Sequence, residues 1–296
     1  MEDVLRATNF DETRIQECAI GAGVVPVARR YDGKLVFLLA REQHTPNWRG
    51  SCKWSGFEGG RKAFETIEET ACREWREESI DIIPGLEQKL RSRGYVCRYT
   101  LNIVPNRACR IASERSNERY HVTYLVQIPY SEDVVCRFNT RRAALRNVVD
   151  RATALQSVQR ALGGSSPLRS AERHDDEHGT LTFESGTVVD GAATTRWFDH
   201  QRQLSNAIEQ VGCDIAVRQT QCASTGEIMD ATVNRDFLEK ESIAWWSLPE
   251  LRDVLRNGGR SGEESFRTYF LPVLCGILAH VESLETKSGS SEPALR

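Results

Sequence analysis

The residues from Gly59 to Ile80, GGRKAFETIEETACREWREESI, constrain the chain most, because they join a glycine pair, a helix start and a one-sided set of acids. Thr66 is a natural N-cap, and Glu69 completes a capping box, so a helix is expected over Thr66 to Ser79. At 3.6 residues per turn, Glu74, Glu77 and Glu78 stand at i, i+3 and i+4, and their carboxylates share one face. Three like charges so placed repel one another unless something neutralises them. A hard divalent cation does so, and Mg²⁺ or Mn²⁺ takes carboxylate oxygens together with waters and substrate phosphates. Arg73 borders that face and can hold a carboxylate through two parallel hydrogen bonds. Ile67, Ala71 and Trp75 form the adjacent apolar stripe that anchors the helix. A merely solvated acidic helix does not account for the glycines, the cap and the arginine together.

Gly59, Glu65, Arg73, Glu74, Trp75, Glu77 and Glu78 fit the pattern G-x5-E-x7-R-E-U-x-E-E. Chance would place its six fixed residues in a chain of 296 on the order of 10⁻⁵ of the time. On this box, the chain resembles the Nudix hydrolase superfamily over residues 19–130 and 236–284. The order of two strands, W-S-G-F-E-G-G, box helix, paired strands and a late ESIAWWSLPEL is also similar to the family's. The phrase KWSGFEGGRK resembles members from large DNA viruses and protists. The resemblance implies an α/β protein, an α/β/α sandwich around a mixed β-sheet. It implies Mg²⁺ or Mn²⁺ held by Glu74, Glu77, Glu78 and Gly59, with Glu65 as the loop glutamate and Arg73 as the orienting arginine. Catalysis would rest on Glu77, Glu78, Arg73 and Glu65. Glu239 and Glu241 precede the last strand, where the family sometimes carries its general base.

The implied activity is metal-dependent hydrolysis of a diphosphate bond in a nucleoside diphosphate derivative: a nucleotide, a nucleotide sugar or a capped RNA end. An inositol pyrophosphate is a further candidate, because the box handles only the diphosphate. The alternatives are mRNA decapping specifically, or a non-catalytic nucleotide- or RNA-binding module of the same fold. Such modules usually lose box carboxylates, and the metal-face glutamates are all present here. The sequence departs from the pattern at its close, where Ile80 and Asp81 replace glycine and an aliphatic residue. Asp81 is the residue expected to take the left-handed conformation at the helix end, since Asp tolerates it better than Ile. Glu58 stands where proline is frequent, either as a further ligand or as a strand-end charge.

Around the box, strands are expected at Gly21 to Ala28 and Lys34 to Ala40, joined at Asp32-Gly33, then at Lys53 to Phe57, Gly94 to Val104, Tyr120 to Tyr130 and Ser242 to Ser247. Gly21 and Gly23 are not a dinucleotide fingerprint, since no third glycine follows in place. A last helix is expected within Gly262 to Leu284, capped at Ser261 and kinked at Pro272. Residues 1–18 form a lead and 285–296 a disordered tail. Between them, 131–235 reads as a mostly helical insertion, with apolar periodicity over 141–162, a mobile loop at 163–179, a small hairpin and a helix near Thr194 to Val211.

Arg41, Trp54, Arg107 and Arg110 are candidate substrate contacts, the arginines for phosphate and the tryptophan (with Trp48) for stacking on a base. Buried packing is the competing reading for the tryptophans, and a solvated loop for the arginines. A net charge of −3 gives no whole-chain signature of nucleic-acid binding, so RNA rests only on the local basic excess between Arg137 and Arg173. The first residues hold no apolar stretch of a secretory signal, and no run is long and apolar enough to span a membrane. Nine cysteines without a C-x2-C pair read as free thiols, hence an intracellular, cytoplasmic protein.

Overall fold

The computed structural model describes residues 12–102, 119–175, 178–211 and 216–288. The first part runs α1 (Glu12–Cys18), β1 (Ala19–Arg29), β2 (Leu35–Glu42), β3 (Lys53–Ser55), β4 (Phe57–Gly60), α2 (Ile67–Ser79), α3 (Leu86–Arg91), β5 (Cys97–Asn102) and β6 (Tyr120–Gln127). Then follow α4 (Val134–Gly163), β7 (Leu168–Arg173), β8 (Gly179–Phe183), β9 (Val188–Val189), α5 (Thr195–Val211), β10 (Val217–Gln221) and β11 (Ile228–Val233). The chain closes with β12 (Lys240–Ser247), α6 (Leu248–Arg256), β13 (Arg260–Ser261), β14 (Glu264–Phe266) and α7 (Phe270–Ser288). These elements form two compact units, 1–135 with 239–296, and 136–238.

The first unit is an α/β structure around a mixed sheet ordered β13-β14-β3-β2-β1-β6-β5, with β12 also on β2 and β4 also on β1. β1 runs parallel to β6 and antiparallel to β2 and β4. Its Val24 and Val25 are both fully buried although they point to opposite faces, as a strand covered by helices on both sides requires. On one face, Val25, Phe37, Leu39 and Leu125 pack with Leu251 and Val254 of α6 and Leu274 and Ile277 of α7. On the other lies α2, where the Trp75 and Phe57 rings meet edge to face at 4.7 Å. Burying such a pair fixes the box helix on the sheet.

Two local expectations change in this unit. Ile80 itself takes the left-handed conformation that ends α2 (φ 54°), and Asp81 follows it there (φ 50°). Ile80 is wholly buried, so burial of the side chain holds a conformation that β-branching disfavours. The last helix begins at Phe270 rather than near Ser261, because β13 and β14 pair first and β14 runs parallel to β3. Pro272 then falls in the first turn, where no intrahelical N–H is needed, and it does not interrupt the helix. That helix continues to Ser288, into residues expected as tail; 289–296 lie outside the described residues.

The second unit holds α4 and α5 with two small antiparallel sheets, β7-β8-β9 and β10-β11. Of the apolar series expected in α4, Leu145, Val148, Ala152, Leu155 and Val158 are buried, whereas Val149 is exposed and Leu162 half-buried. Residues 163–179, expected as a mobile loop, contain β7 instead. Its polar sequence hides a strand because the pairing partner, β8, supplies the backbone hydrogen bonds and buries Ala171. The described arginines between 137 and 173 do not make one open face. Arg142 is buried, and Arg173 is bonded to Glu227 and Gln201 and stacked on Phe198.

Candidate metal and phosphate site

The capping box forms: Glu69 N–H donates to Thr66 Oγ1 at 3.1 Å, and Thr66 N–H donates to Glu69 Oε2 at 2.8 Å. This cap sets where α2 starts, and so which face carries Arg73, Glu74, Glu77 and Glu78. Of the glycine pair before it, Gly59 serves close approach. A Cβ on Gly59 would stand 2.4 Å from the Glu74 carboxyl, so only glycine lets that side chain lie against the β4 backbone.

Arg73 organises the acids. Its Nε and Nη2 donate to Glu65 Oε1 (2.6 Å) and Oε2 (3.1 Å), while Nη1 donates to Glu74 Oε1 (2.7 Å) and Glu77 Oε2 (2.8 Å). A further bond from Nη2 to the Gly60 carbonyl, 2.7 Å, ties the helix to the end of β4. Glu65 also accepts from Lys62 N–H and Thr70 Oγ1. The Arg73 bonds, reinforced by these, hold the Glu65 carboxyl down at about 2. Glu74 goes the other way. Burial, with the nearby charges of Glu77 and Glu239, pushes it up to about 7 against the pull of Arg73.

Glu78 is buried beyond these three. Its Oε2 accepts the Glu58 N–H at 2.7 Å, and its Oε1 lies 2.9 Å from Lys240 Nζ. Lys240, fully buried, also donates to Glu42 Oε1 at 2.5 Å, and Glu42 accepts from Arg267 Nη1 at 2.8 Å. Burial opposes the lysine's charge, but Glu78 and Glu42 outweigh it and raise the ammonium's pKa. Burial raises Glu78 as well, opposed by Lys240. Sequence reasoning missed Lys240, Glu42 and Arg267, which come from three distant segments.

Glu58, on the opposite face of β4 from Gly59, is buried with neither oxygen in a hydrogen bond of ordinary geometry. His121 Nδ1 stands 3.8 Å away, also unpartnered. Gly23 makes room for this, since a Cβ there would lie 2.1 Å from that of Glu58. Desolvation lowers the His121 pKa, so the ring stays neutral beside the carboxylate.

The other candidates separate. Arg41 pairs with Glu241 at 3.0 Å and Glu264 at 3.5 Å, so one proposed phosphate contact and one proposed base neutralise each other. Trp54 is a core residue, not a stacking platform: it is buried, donates to Glu264 Oε2 at 2.6 Å and packs edge to face on Trp246. The exposed ring is Trp48, with the Arg267 guanidinium over it and over Tyr269. Glu239 is exposed, and its carbonyl accepts from Gln43 N–H. Arg107 and Arg110 lie outside the described residues.

Among the described residues, no three Asp, Glu, His or Cys side chains converge as a ready cation cage. Arg73 holds Glu65, Glu74 and Glu77, while Lys240 holds Glu78. The donor chemistry nonetheless fits a hard divalent ion. Glu65, Glu74, Glu77 and Glu78 bring four carboxyl groups to the box, oxygen donors of the kind such an ion takes. Among the described residues, cysteines 18, 52, 72, 97, 136, 222 and 275 are free, and no helix is long and apolar enough to cross a membrane.

No protein-family model matches the chain, and no curated protein does. Solved structures matched in part by this chain include Nudix hydrolases. A C. elegans Ap4A hydrolase is 21% identical, with 38% of this chain covering 67% of that one at a TM-score of 0.25. The M. smegmatis Nudix hydrolase RenU is 18% identical, 38% covering 63%, also at 0.25. An Enterococcus faecalis MutT/nudix family protein is 17% identical, 57% covering 49%, at 0.26.

Proposed function

We propose that this chain is a Nudix-type pyrophosphohydrolase that uses Mg²⁺ or Mn²⁺ to cleave the diphosphate bond of a nucleoside diphosphate derivative. The observation that carries the reading is the Arg73 hub, which gathers Glu65, Glu74 and Glu77 beside buried Glu78. Glu74, Glu77, Glu78 and the Gly59 backbone would hold the cation. When bound, it would neutralise phosphate charge and lower the pKa of a water. Arg73 fixes the orientation of Glu74 and Glu77, and Glu65 keeps the guanidinium in place. The Lys62 ammonium, half exposed and 3.5 Å from Glu77, is placed to meet an incoming phosphate. A glutamate would take the proton of the attacking water, and Glu239 and Glu241 are the candidates for that role.

A non-catalytic module is disfavoured because the box carboxylates that such modules usually lose, Glu65, Glu74, Glu77 and Glu78, are all present. A test compares nucleoside diphosphate derivatives, nucleotide sugars, inositol pyrophosphates and capped RNA with Mg²⁺ or Mn²⁺, against the same panel in EDTA. Turnover of a nucleotide-type diphosphate that stops in EDTA supports the reading. Tight nucleotide binding without turnover of any substrate overturns it.

A further inference from the structure

The acidic end of the box helix already contains a cation of the chain's own. Lys240 opens β12, directly opposite Glu42 in the β2–β12 pairing, and the register shifts between Lys240 and Ser242. There its ammonium is wholly buried between Glu42 and Glu78, 2.5 and 2.9 Å away. Lysines are seldom buried to this degree unless paired.

We infer that Lys240 is a displaceable internal counter-cation: it neutralises Glu78 in the metal-free chain, and a divalent cation entering at the box must take Glu78 from it. The inference rests on the metal reading above. Three relationships support it. Both oxygens of Glu78 are engaged, one by Lys240 and one by the Glu58 N–H, so Glu78 cannot turn to a new cation without releasing a bond. Glu42 provides the lysine with a second carboxylate, so Lys240 is not left unpaired when Glu78 leaves. Glu42 is itself held by Arg267, which keeps that seat in place whichever way Glu78 turns. Arg73 does the same for Glu74 and Glu77 from the other side. The two bases together give each of these acids a partner within the chain. The consequence is an affinity tuned downward: part of the metal's attraction for Glu78 is cancelled by loss of the Lys240 pair. Lys240 is thus a positioning residue for Glu78, touching no substrate.

The test uses the full chain stripped with EDTA, titrated with Mn²⁺, with free Mn²⁺ read by electron paramagnetic resonance and melting followed in parallel. Lys240→Met is expected to bind Mn²⁺ about tenfold tighter or more. Its melting temperature in EDTA should fall below wild type and recover with Mn²⁺ by more than the wild-type increment. Lys240→Arg keeps the charge and should stay near wild-type affinity. Should Lys240→Met fold poorly, Lys240→Met with Glu42→Gln removes one charge of each sign and is expected to fold and still bind tighter. Unchanged or weaker Mn²⁺ binding in these charge-removing variants overturns the inference. Glu74→Gln separates the two levels. If it leaves Mn²⁺ binding intact, the metal reading itself fails. If it weakens binding while the lysine variants match wild type, only the counter-cation inference fails.

Discussion

The Arg73 guanidinium grips the Glu65 carboxylate through two parallel bonds, 2.6 and 3.1 Å long, across the turn that leads into α2. That pair joins the loop to the helix and leaves the third nitrogen for Glu74 and Glu77. Its effect on stability has a definite pH sign. Glu65 ionises at about 2 in the folded chain against 4.5 for the unperturbed group, so its contribution is present above pH 4.5 and lost as pH falls through 2. Denaturant melts should find Glu65→Gln less stable than wild type at pH 6, with the gap closing towards pH 2. A gap that stayed constant down to pH 2 would mean the pair does not stabilise the fold.

Glu74 carries the opposite sign. Its folded value of about 7 lies above 4.5, so the folded chain prefers the neutral acid. The metal-free protein therefore gains stability from this group as pH falls from about 7 to 4.5 and carries the full penalty above 7. Glu74→Gln should be more stable than wild type at pH 8 in EDTA, by about 1–3 kcal/mol, and should lose that advantage near pH 5. The same substitution should weaken Mn²⁺ binding. Melting at the two pH values, with and without Mn²⁺, reads both effects; a Glu74→Gln chain less stable at pH 8 would contradict the sign.

Glu77→Gln and Glu78→Gln should each lower kcat by roughly 10² or more, because a neutral amide ligates Mg²⁺ poorly. Both should keep the fold. Arg73 retains Glu65 and Glu74 when Glu77 is neutralised, and Lys240 retains Glu42 when Glu78 is neutralised. Circular dichroism and melting establish the fold, and turnover on the best substrate of the panel gives the rate. Near-wild-type kcat in both variants would remove the box from the chemistry.

The part of the site that sequence made legible is the part made by local spacing. Thr66 with Glu69, Glu65 with Arg73, and the Glu74, Glu77, Glu78 face are all set by helix periodicity within one segment. Lys240 was not legible. In LEKESIA it reads as a surface lysine, and only the pairing of β12 with β2 brings it 198 positions back to Glu42. Trp54 misled for a related reason, since an aromatic near a glycine-rich turn looks available until Trp246 and Glu264 cover it. The polar β7 and the short β13–β14 hairpin were hidden because their order comes from partner strands rather than from alternation of their own residues.

Ile80 offers the last test, because two opposing effects meet in one residue. As the left-handed end of α2 (φ 54°), it carries strain of about 1–2 kcal/mol that glycine would relieve. Its side chain is wholly buried, and removing so large a buried group costs about 2–5 kcal/mol. The second effect is larger, so Ile80→Gly should destabilise the chain by about 1–3 kcal/mol despite restoring the residue type that favours this conformation. Ile80→Ala separates the two effects, since it loses most of the burial and keeps the strain. It should therefore be the less stable variant of the pair. Urea melts of the three chains give the order directly: wild type first, then Ile80→Gly, then Ile80→Ala. If Ile80→Gly were the most stable of the three, backbone strain would outweigh packing at this helix end, and the isoleucine would need an explanation other than the core it fills.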